Sequence, residues 1–304
     1  MEPILVTGVG GKVGGIGDKV VDQLLEAGVP VRALAHHENE SLQRYRSLGV
    51  EVVVGDLTRL GDLHQAIKGV RRLYFGMSVS PQYLEATVNV AAVAKYYGVE
   101  CLVSMSQMTV SQMSITATTD SPQQKLHWLS EQVLSWSGLP VVTVRPTVFL
   151  ENPFFSTIAA ATIAKSGELR LPFGDAKSSP VATQDVADVV ATILLAPAGH
   201  IGKIYDLTGP KSETMQEMAV EYSLALAREV RYVDVPLEAW TRELASKGMP
   251  PHVTAHIATM AALHRENRYD RWTDDIGKVT GRPATSVRDW VASRRSDFTQ
   301  ARPQ

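Results

Sequence analysis

The 304-residue sequence lacks several features that define large classes of protein. It contains one cysteine, Cys101, which excludes an intrachain disulfide framework and a cysteine-based zinc site. It has no uninterrupted apolar run of about 18 residues, the length that a membrane-spanning helix needs. Its first residues carry no cationic region ahead of an apolar stretch, so a signal peptide is not expected. These absences predict a cytoplasmic protein.

The sequence also lacks an excess of either charge. Lysine and arginine number 30 against 32 aspartate and glutamate, which gives a formal net charge of −2. Proteins that bind nucleic acid or anionic membranes usually carry a basic surplus. We therefore expect no nucleic-acid or membrane partner and instead expect an enzyme or binding protein for small molecules. Homo-oligomerisation is left open by the composition.

What is present is an alternation of short apolar runs with amphipathic segments. Strands are predicted at 4–7, 31–35, 50–54, 73–75, 100–105 and 141–144, and helices between them include 83–97 and 123–136. The strands are mostly apolar and do not alternate strictly between apolar and polar residues, which is typical of a parallel sheet that is covered on both faces. The pattern predicts an α/β fold with a doubly wound parallel sheet of the Rossmann type.

After residue 146 the rhythm changes, and proline and glycine interrupt the chain repeatedly. Helices are predicted at 185–195, 213–228 and 251–264, with a strand at 203–207. We predict a dinucleotide-binding domain over 1–150, to which 176–210 returns. Residues 151–175 and 211–304 are expected to form a smaller, mostly helical substrate lobe, with ligands in a cleft at the carboxyl ends of the strands.

The turn after the first strand is rich in glycine. Two registers of G-x-x-G-x-x-G fit it, one at Gly8, Gly11 and Gly14 and the other at Gly11, Gly14 and Gly17. Counting back from Leu24 identifies Gly17 as the last glycine, which implies about three inserted residues. Such a turn brings backbone amides close to a pyrophosphate at a helix N-terminus. The predicted pyrophosphate-binding residues are Thr7, Gly8, Gly11, Lys12, Val13, Gly14 and Gly17.

The second predicted strand ends in His36-His37, where a carboxylate would favour NAD and an arginine NADP. Neither is present. Imidazoles can donate hydrogen bonds to a 2′-phosphate, and no carboxylate repels it, so NADP(H) is favoured over NAD(H). Two alternatives stay open: Glu38 reaches the ribose, or the two histidines only begin a polar loop.

Several short motifs resemble the NmrA-like branch of the atypical short-chain dehydrogenase/reductases. They are the glycine turn, Gly55-Asp56-Leu57, 92–99, Ser137-Gly138-Leu139-Pro140, Val144-Arg145-Pro146, 149–152, Gln184-Asp185-Val186-Ala187 and Leu207-Thr208-Gly209-Pro210. The resemblance covers nearly the whole chain. It implies contacts to adenine from Asp56 and Leu57 and to ribose and pyrophosphate from Gly76, Met77 and Ser78. It also implies cofactor contacts from Ser106 at the next strand end and from Thr147 and Phe149 near the nicotinamide. The alternative for Asp56 is a helix N-cap.

Many members of the wider superfamily use a Tyr-x-x-x-Lys pair, which is missing here. None of the nine tyrosines is followed by lysine four residues later. Aligning the helix before Ser137 places Gln123 and His127 at the two positions. Gln123, His127 and Glu131 are four residues apart and share one helix face. His127 either contacts the ribose or acts as an acid, and Glu131 is either its partner or a surface charge.

Loss of the tyrosine restricts the chemistry that the protein can perform. Ketone reduction and alcohol oxidation benefit from a placed acid or base, whereas quinones and cationic dyes accept hydride readily. We therefore predict an NAD(P)H-dependent oxidoreductase that reduces a quinone-like or conjugated aromatic acceptor. The alternative is a non-catalytic NAD(P) sensor that acts through a partner protein. An epimerase or dehydratase is disfavoured because that chemistry needs the tyrosine.

Two further sets of residues have open roles. His252, His256 and His264 have helical spacing that suits zinc, but without a nearby cysteine or an H-E-x-x-H base we expect a structural role and no metal. Met108, Phe149, Phe154 and Phe155 either form an apolar wall for an aromatic acceptor or pack between domains.

Overall fold

The computed structural model describes residues 2–11, 15–78, 80–119, 121–246 and 251–299, without the side chains of residues 251–253. The chain divides into two units. The first contains Met1–Pro146, Thr183–Leu207 and Asp275–Arg282, and the second contains Thr147–Ala182, Thr208–Asp274 and Pro283–Gln304. Strands and helices are numbered below along the whole chain.

The first unit contains a parallel sheet of seven strands within the described residues. The strands are β1 (Ile4–Thr7), β2 (Val31–Ala35), β3 (Glu51–Val54), β4 (Arg72–Phe75), β5 (Cys101–Met105), β6 (Val141–Pro146) and β9 (Ile204–Leu207). Their order is β3-β2-β1-β4-β5-β6-β9. The register between β1 and β2 is regular, from Ile4 beside Val31 to Thr7 beside Leu34. All neighbouring pairs are parallel, so the carboxyl ends lie along one edge.

Helices cover both faces of this sheet. They are α1 (Ile16–Glu26), α2 (Glu40–Ser47), α3 (Leu60–Ile67), α4 (Tyr83–Tyr96), α5 (Pro122–Trp136), α7 (Thr183–Leu195) and α11 (Asp275–Thr280), with a 3₁₀ helix at Met108–Gln112. Helices α3, α4 and α5 contribute to an apolar cluster with Leu5, Leu73 and Leu102. Burial on both faces explains why the strands are mostly apolar. The predicted doubly wound parallel sheet is confirmed.

The single cysteine belongs to this sheet. Cys101 begins β5, and its side chain is fully buried. Burial raises the pKa of its thiol to about 11, because an apolar environment disfavours the thiolate. The side chain therefore packs as a small apolar group.

The second unit combines helices with two small sheets. Its helices are α6 (Thr157–Ser166), α8 (Met215–Leu226), α9 (Leu237–Ser246), α10 (Pro251–Arg265), α12 (Val287–Ala292) and α13 (Arg295–Thr299). Strands β7 (Glu168–Leu171) and β11 (Arg231–Asp234) pair in parallel, and β8 (Lys177–Ser178) and β10 (Glu213–Thr214) pair antiparallel. A helix predicted at 213–228 therefore starts too early, since a capping box between Thr214 and Glu217 begins α8 at Met215.

The core of the second unit is aromatic. Phe154, Phe155, Phe173, Tyr222 and Phe298 are essentially inaccessible to solvent. Phe154 and Phe155 therefore form part of this unit's own core, and the interpretation of these two residues as a wall for the acceptor is wrong. The contact division places 275–282 with the sheet and begins the second unit at Thr147. The dinucleotide and substrate roles predicted for the two parts remain predictions.

Candidate active site

The glycine turn brings the start of α1 against the end of β1. A Cβ atom on Gly17 would lie 2.8 Å from the carbonyl oxygen of Gly8 and 2.9 Å from that of Thr7. Gly8 has φ +71°, and a Cβ there would lie 2.8 Å from the carbonyl oxygen of Gly76. All these neighbours are backbone atoms that cannot rotate away. The geometry supports the register that ends at Gly17, where the last glycine permits close helix–strand packing.

The longer turn is fastened by side chains that the sequence analysis missed. The carboxylate of Asp18 accepts the N–H of Gly10 at 3.2 Å and the hydroxyl of Tyr45 at 3.1 Å. Asn39 caps α2 by accepting the N–H of Leu42, and its side-chain amide reaches the carbonyl of Gly10 at 3.4 Å. The capping position of Asn39 before a helix was a readable signal, but its contact with the turn depends on the fold.

The predicted pyrophosphate-binding loop continues from Gly11 to the start of α1. Gly11 lies close to Gly8, with 3.4 Å between its would-be Cβ and the Gly8 carbonyl oxygen. Lys12, Val13 and Gly14 lie outside the described residues. The first turn of α1 follows Gly15, an N-cap residue that supplies no side-chain hydrogen bond. Backbone N–H groups at such a helix start can bind an anion.

Thr7 joins the ends of β1 and β4. Its buried hydroxyl donates to the carbonyl of Gly76 at 2.8 Å and accepts the N–H of Gly76 at 2.9 Å. Met77 is half-buried and Ser78 exposed immediately after this point. The hydroxyl of Thr7 thus positions the loop that carries Gly76, Met77 and Ser78, while direct cofactor contacts from these residues remain predictions.

His36 and His37 follow β2 beside the end of β3. The ring centroids of the two histidines are 3.9 Å apart, and His36 Nε2 is 3.7 Å from Asp56 Oδ2. Asp56 accepts both the backbone N–H and the hydroxyl of Thr58 at 2.8 Å. The backbone hydrogen bond in particular lowers the pKa of Asp56, with a smaller contribution from His36. Leu57, half-buried, is the next residue.

The structure bears on two alternatives at this edge, the helix-cap role of Asp56 and the ribose contact of Glu38. The N-cap residue of α3 is Arg59, so the interpretation of Asp56 as that cap is wrong. Asp56 closes a turn ahead of the helix instead. Glu38 is held by two hydrogen bonds from Arg46, at 2.6 and 3.0 Å, and this contact lowers the pKa of Glu38. Its carboxylate is therefore engaged by α2.

Gln123 and His127 lie together on the buried face of α5. Gln123 Oε1 accepts the N–H of Ser80 at 3.3 Å, and its Nε2 is 3.3 Å from His127 Nε2. An amide nitrogen only donates, so His127 Nε2 is the acceptor in this contact. The imidazole packs on the ring of Tyr83, with centroids 4.1 Å apart.

Tyr83 does not replace the missing catalytic tyrosine. Its hydroxyl donates to the carbonyl of Met105 at 2.6 Å, and its side chain is 1% exposed. Burial raises the pKa of this phenol. The ring of Tyr83 thus packs on His127, while its buried hydroxyl is engaged by a backbone carbonyl.

The carboxylate of Glu131 is largely buried, so its interpretation as a surface charge is wrong, while its role as a partner of His127 remains a prediction. Its buried carboxylate accepts the hydroxyl proton of Ser106 and two N–H groups of Arg145. Ser106 follows β5, and Arg145 lies in β6. The group joins two strand ends beneath the carboxyl edge of the sheet. Arg145 belongs to the motif Val144-Arg145-Pro146, but nothing in the sequence predicts its ion pair with Glu131.

Thr147 and Phe149 belong to the second unit. Phe149 forms an isolated bridge with Val181. Thr147 is 5% exposed, and its hydroxyl makes no hydrogen bond with any described residue. Their predicted contacts with the cofactor remain predictions.

On α10, His264 is buried and His256 is half-buried. No group of three or more metal-binding side chains occurs among the described residues. The ring of His264 stacks between Phe173 and Tyr269, and burial lowers its pKa to about 3. Burial also lowers the pKa of His256, and the side chain of His252 lies outside the described residues. In the part of the chain that is described, no helix has the length and apolar character needed to cross a membrane.

Known proteins resemble this chain along nearly its whole length. An NAD(P)H azoreductase from Xenophilus azovorans is 30% identical over 96% of this chain and 98% of its own. A (4-alkanoyl-5-oxo-2,5-dihydrofuran-3-yl)methyl phosphate reductase from Streptomyces griseus is 32% identical over 97% and 99%.

Solved structures share the fold. The NADPH-dependent quinone oxidoreductase of Escherichia coli, in complex with NADPH, has a TM-score of 0.83 at 23% identity and covers 96% of this chain and 99% of its own. The Citrobacter triphenylmethane reductase, in complex with NADP(H), has a TM-score of 0.81 at 22% identity with the same coverage. The model of the NmrA-like family matches residues 2–291. The resemblance that the motifs predicted is confirmed, and the chain belongs to the NmrA-like family.

Proposed function

We propose that this protein is an NAD(P)H-dependent oxidoreductase that delivers hydride to a quinone-like or conjugated aromatic acceptor. The observation that carries the proposal is the Gln123–His127 pair, which stands where related enzymes use tyrosine and lysine. The names of the relatives, an azoreductase, a quinone oxidoreductase and a triphenylmethane reductase, agree with it.

The first unit fits a dinucleotide. Gly8 and Gly17 leave no space for a Cβ atom, so the backbone at the end of β1 lies directly under the start of α1. The positive end of that helix attracts a pyrophosphate, and the N-cap residue Gly15 has no side chain to cap the first-turn N–H groups. Asp56 and the loop after Gly76 lie at the same edge of the sheet and supply groups for the adenosine half.

The side chains near the predicted reaction centre offer no ready proton. A bound nicotinamide supplies the hydride, and the chain must hold it and the acceptor. Gln123 has no ionisable proton, and His127 Nε2 accepts a hydrogen bond from Gln123. A placed acid contributes about 10²- to 10⁴-fold to reactions that form an alkoxide. Conjugated acceptors delocalise the arriving electron pair and take a proton from water, so they suit this arrangement.

The proposal includes a preference for NADP(H) over NAD(H). The imidazoles of His36 and His37 follow β2, and the carboxylate next to them in sequence, Glu38, is engaged by Arg46. Imidazole N–H groups can then contact a 2′-phosphate. A cytoplasmic location and a small aromatic substrate belong to the same proposal.

The test compares binding and turnover on one preparation. Binding of NADPH and NADH is measured by calorimetry, and oxidation of NADPH is followed with a quinone, a triphenylmethane dye, an azo dye and an aliphatic ketone. We expect tighter binding of NADPH and turnover with the conjugated acceptors. Turnover with the ketone alone contradicts the proposal. Tight binding without turnover on the whole panel favours the alternative, a dinucleotide sensor that acts through a partner protein.

A further inference from the structure

The hydroxyl of Ser106 is held by a buried ion pair. Its oxygen is 2.5 Å from Glu131 Oε1, which also accepts Arg145 Nε–H at 2.9 Å. The second oxygen of Glu131 accepts another N–H of the same guanidinium. The side chains of Glu131 and Arg145 are 9% and 15% exposed, so water competes little for these contacts.

This ion pair decides the direction of the Ser106 hydrogen bond. A guanidinium only donates, so both carboxylate oxygens of Glu131 act as acceptors and have no proton to offer. The hydroxyl of Ser106 must therefore be the donor. Burial tends to lower the pKa of Arg145, but the hydrogen bond and charge of Glu131 raise it overall, so the guanidinium keeps its proton.

Because its proton is donated to Glu131, the hydroxyl of Ser106 can offer a ligand only its oxygen lone pairs. No other hydrogen-bond donor among the described residues reaches its Oγ. The backbone N–H of Ser106 donates to the carbonyl of Val144 at 2.8 Å, which holds the residue at the end of the sheet. The carboxyl ends of the strands are where ligands bind in such sheets. Ser106 therefore meets a ligand as an acceptor and not as a donor.

We propose that Glu131 and Arg145 fix Ser106 as an acceptor that recognises the N–H of the nicotinamide carboxamide. This assignment rests on the proposed function, because it requires NAD(P)H at this edge of the sheet. Glu131 and Arg145 act through Ser106 and are positioning residues. The same arrangement prevents Ser106 from donating a hydrogen bond to the carbonyl of a hydride acceptor.

The test compares NADPH with its 3-acetylpyridine analogue, in which a methyl group replaces the carboxamide NH₂ and the carbonyl is kept. Calorimetry without an acceptor reports binding alone. We expect the wild-type protein to bind NADPH about three- to tenfold more tightly, the range for one hydrogen bond. Ser106→Ala should bring the ratio close to one by weakening NADPH, and Ser106→Thr, which keeps the hydroxyl, should restore it.

Glu131→Gln tests the positioning role with Ser106 unchanged. Whichever way the amide lies, its NH₂ group faces a donor of Arg145, which breaks the paired contact that holds the Ser106 hydroxyl as a donor and should also lower the ratio towards one. Ser130→Ala is the matched control. Its buried hydroxyl contacts Thr87 at 3.0 Å on the neighbouring helix, so the variant should keep the wild-type ratio.

The outcomes separate this assignment from the function on which it rests. Equal affinity of the wild-type protein for the two cofactors overturns the acceptor role and leaves the proposed reductase standing. An unchanged ratio in Ser106→Ala also overturns it. Absence of binding to either cofactor overturns the proposed function, and this assignment with it. If Ser106→Ala does not fold, the wild-type ratio and Ser106→Thr still decide.

Discussion

The two units of the molecule each bury a histidine against an aromatic ring, and the comparison separates two uses of that residue. In the first unit His127 packs on Tyr83 and contacts the amide of Gln123. In the second unit His264 stacks between Phe173 and Tyr269, with ring centroids 4.1 and 3.9 Å away. Both side chains are at most 9% exposed, so burial does not distinguish them.

What differs is the polarity of the neighbours. His127 shares its helix face with Gln123 and Glu131, both of which reach groups near the strand ends. His264 has its own polar contacts inside the core, with the carbonyl of Met260 at 2.8 Å and Ser178 at 3.4 Å. A histidine beside polar strand ends suits ligand contact, whereas one enclosed by aromatic rings contributes to stability. The following changes test this distinction.

The largest effect is expected from protonation of His264. The unfolded chain binds this proton near the ordinary pKa of 6.5, and the folded chain only near 3, so between these values the unfolded state alone is protonated. Stability should therefore fall by about 1.4 kcal/mol for each pH unit below 6.5, to a total of about 4 to 5 kcal/mol near pH 3. Denaturant unfolding between pH 8 and 5 measures the first part of this loss.

His264→Phe keeps a ring between Phe173 and Tyr269 and removes the titrating group. Its free energy of unfolding should be lower at pH 8 but should fall less steeply towards pH 5. His64→Gln changes an exposed histidine that contacts Tyr97, and it should keep the wild-type slope. If the unfolding free energies of the wild-type protein and His264→Phe fall equally steeply with pH, His264 is not the group that titrates.

The next effect is expected at the glycine turn of the first unit. Gly17→Ala places a Cβ atom within 3 Å of the backbone of Thr7 and Gly8, so α1 must move away from β1. Overpacking of this kind destabilises by about 1–3 kcal/mol. We also expect about tenfold weaker NADPH binding, equivalent to about 1.4 kcal/mol. Chemical denaturation and calorimetry measure the two losses.

Gly61→Ala is the matched control, because Gly61 lies in α3 and its Cβ would have no neighbour within 4 Å. That substitution should leave NADPH binding unchanged and should not destabilise the protein. If Gly17→Ala behaves in the same way, the close approach of α1 is not required for the site.

The smallest effect is expected at His127, the ligand-side member of the comparison. His127→Ala should raise the KM for NADPH about three- to tenfold through loss of one hydrogen-bonding group. The kcat with a quinone should change little, because the proposed reaction needs no acid from this residue. Lys125→Ala, at an exposed position of the same helix, should change neither constant. Unchanged cofactor and acceptor kinetics in His127→Ala would remove His127 from the mechanism, and a large fall in kcat would point to acid catalysis.

Local patterns in the sequence were sufficient to predict the strands and main helices of the first unit. Mostly apolar runs predicted β1 and β2 at their observed bounds, because both faces of the central strands are largely buried. Four-residue spacing placed Gln123, His127 and Glu131 on one helix face. The motifs from Gly8 to Gly209 predicted the NmrA-like family. The second unit was predicted less well, because β7 and β11 are four residues each and lie far apart in sequence.

The sequence by itself determined the parallel sheet, the glycine turn and the absence of Tyr-x-x-x-Lys, since each depends on residue type and local spacing. Only the tertiary structure decided the partners: Ser106 and Arg145 for Glu131, Gly76 for Thr7, and two aromatic rings for His264. Crossovers between strands bring the first two sets together, and α10 with the loop after β7 supplies the third. Burial then makes their hydrogen bonds and rings act on one another, which no single segment encodes.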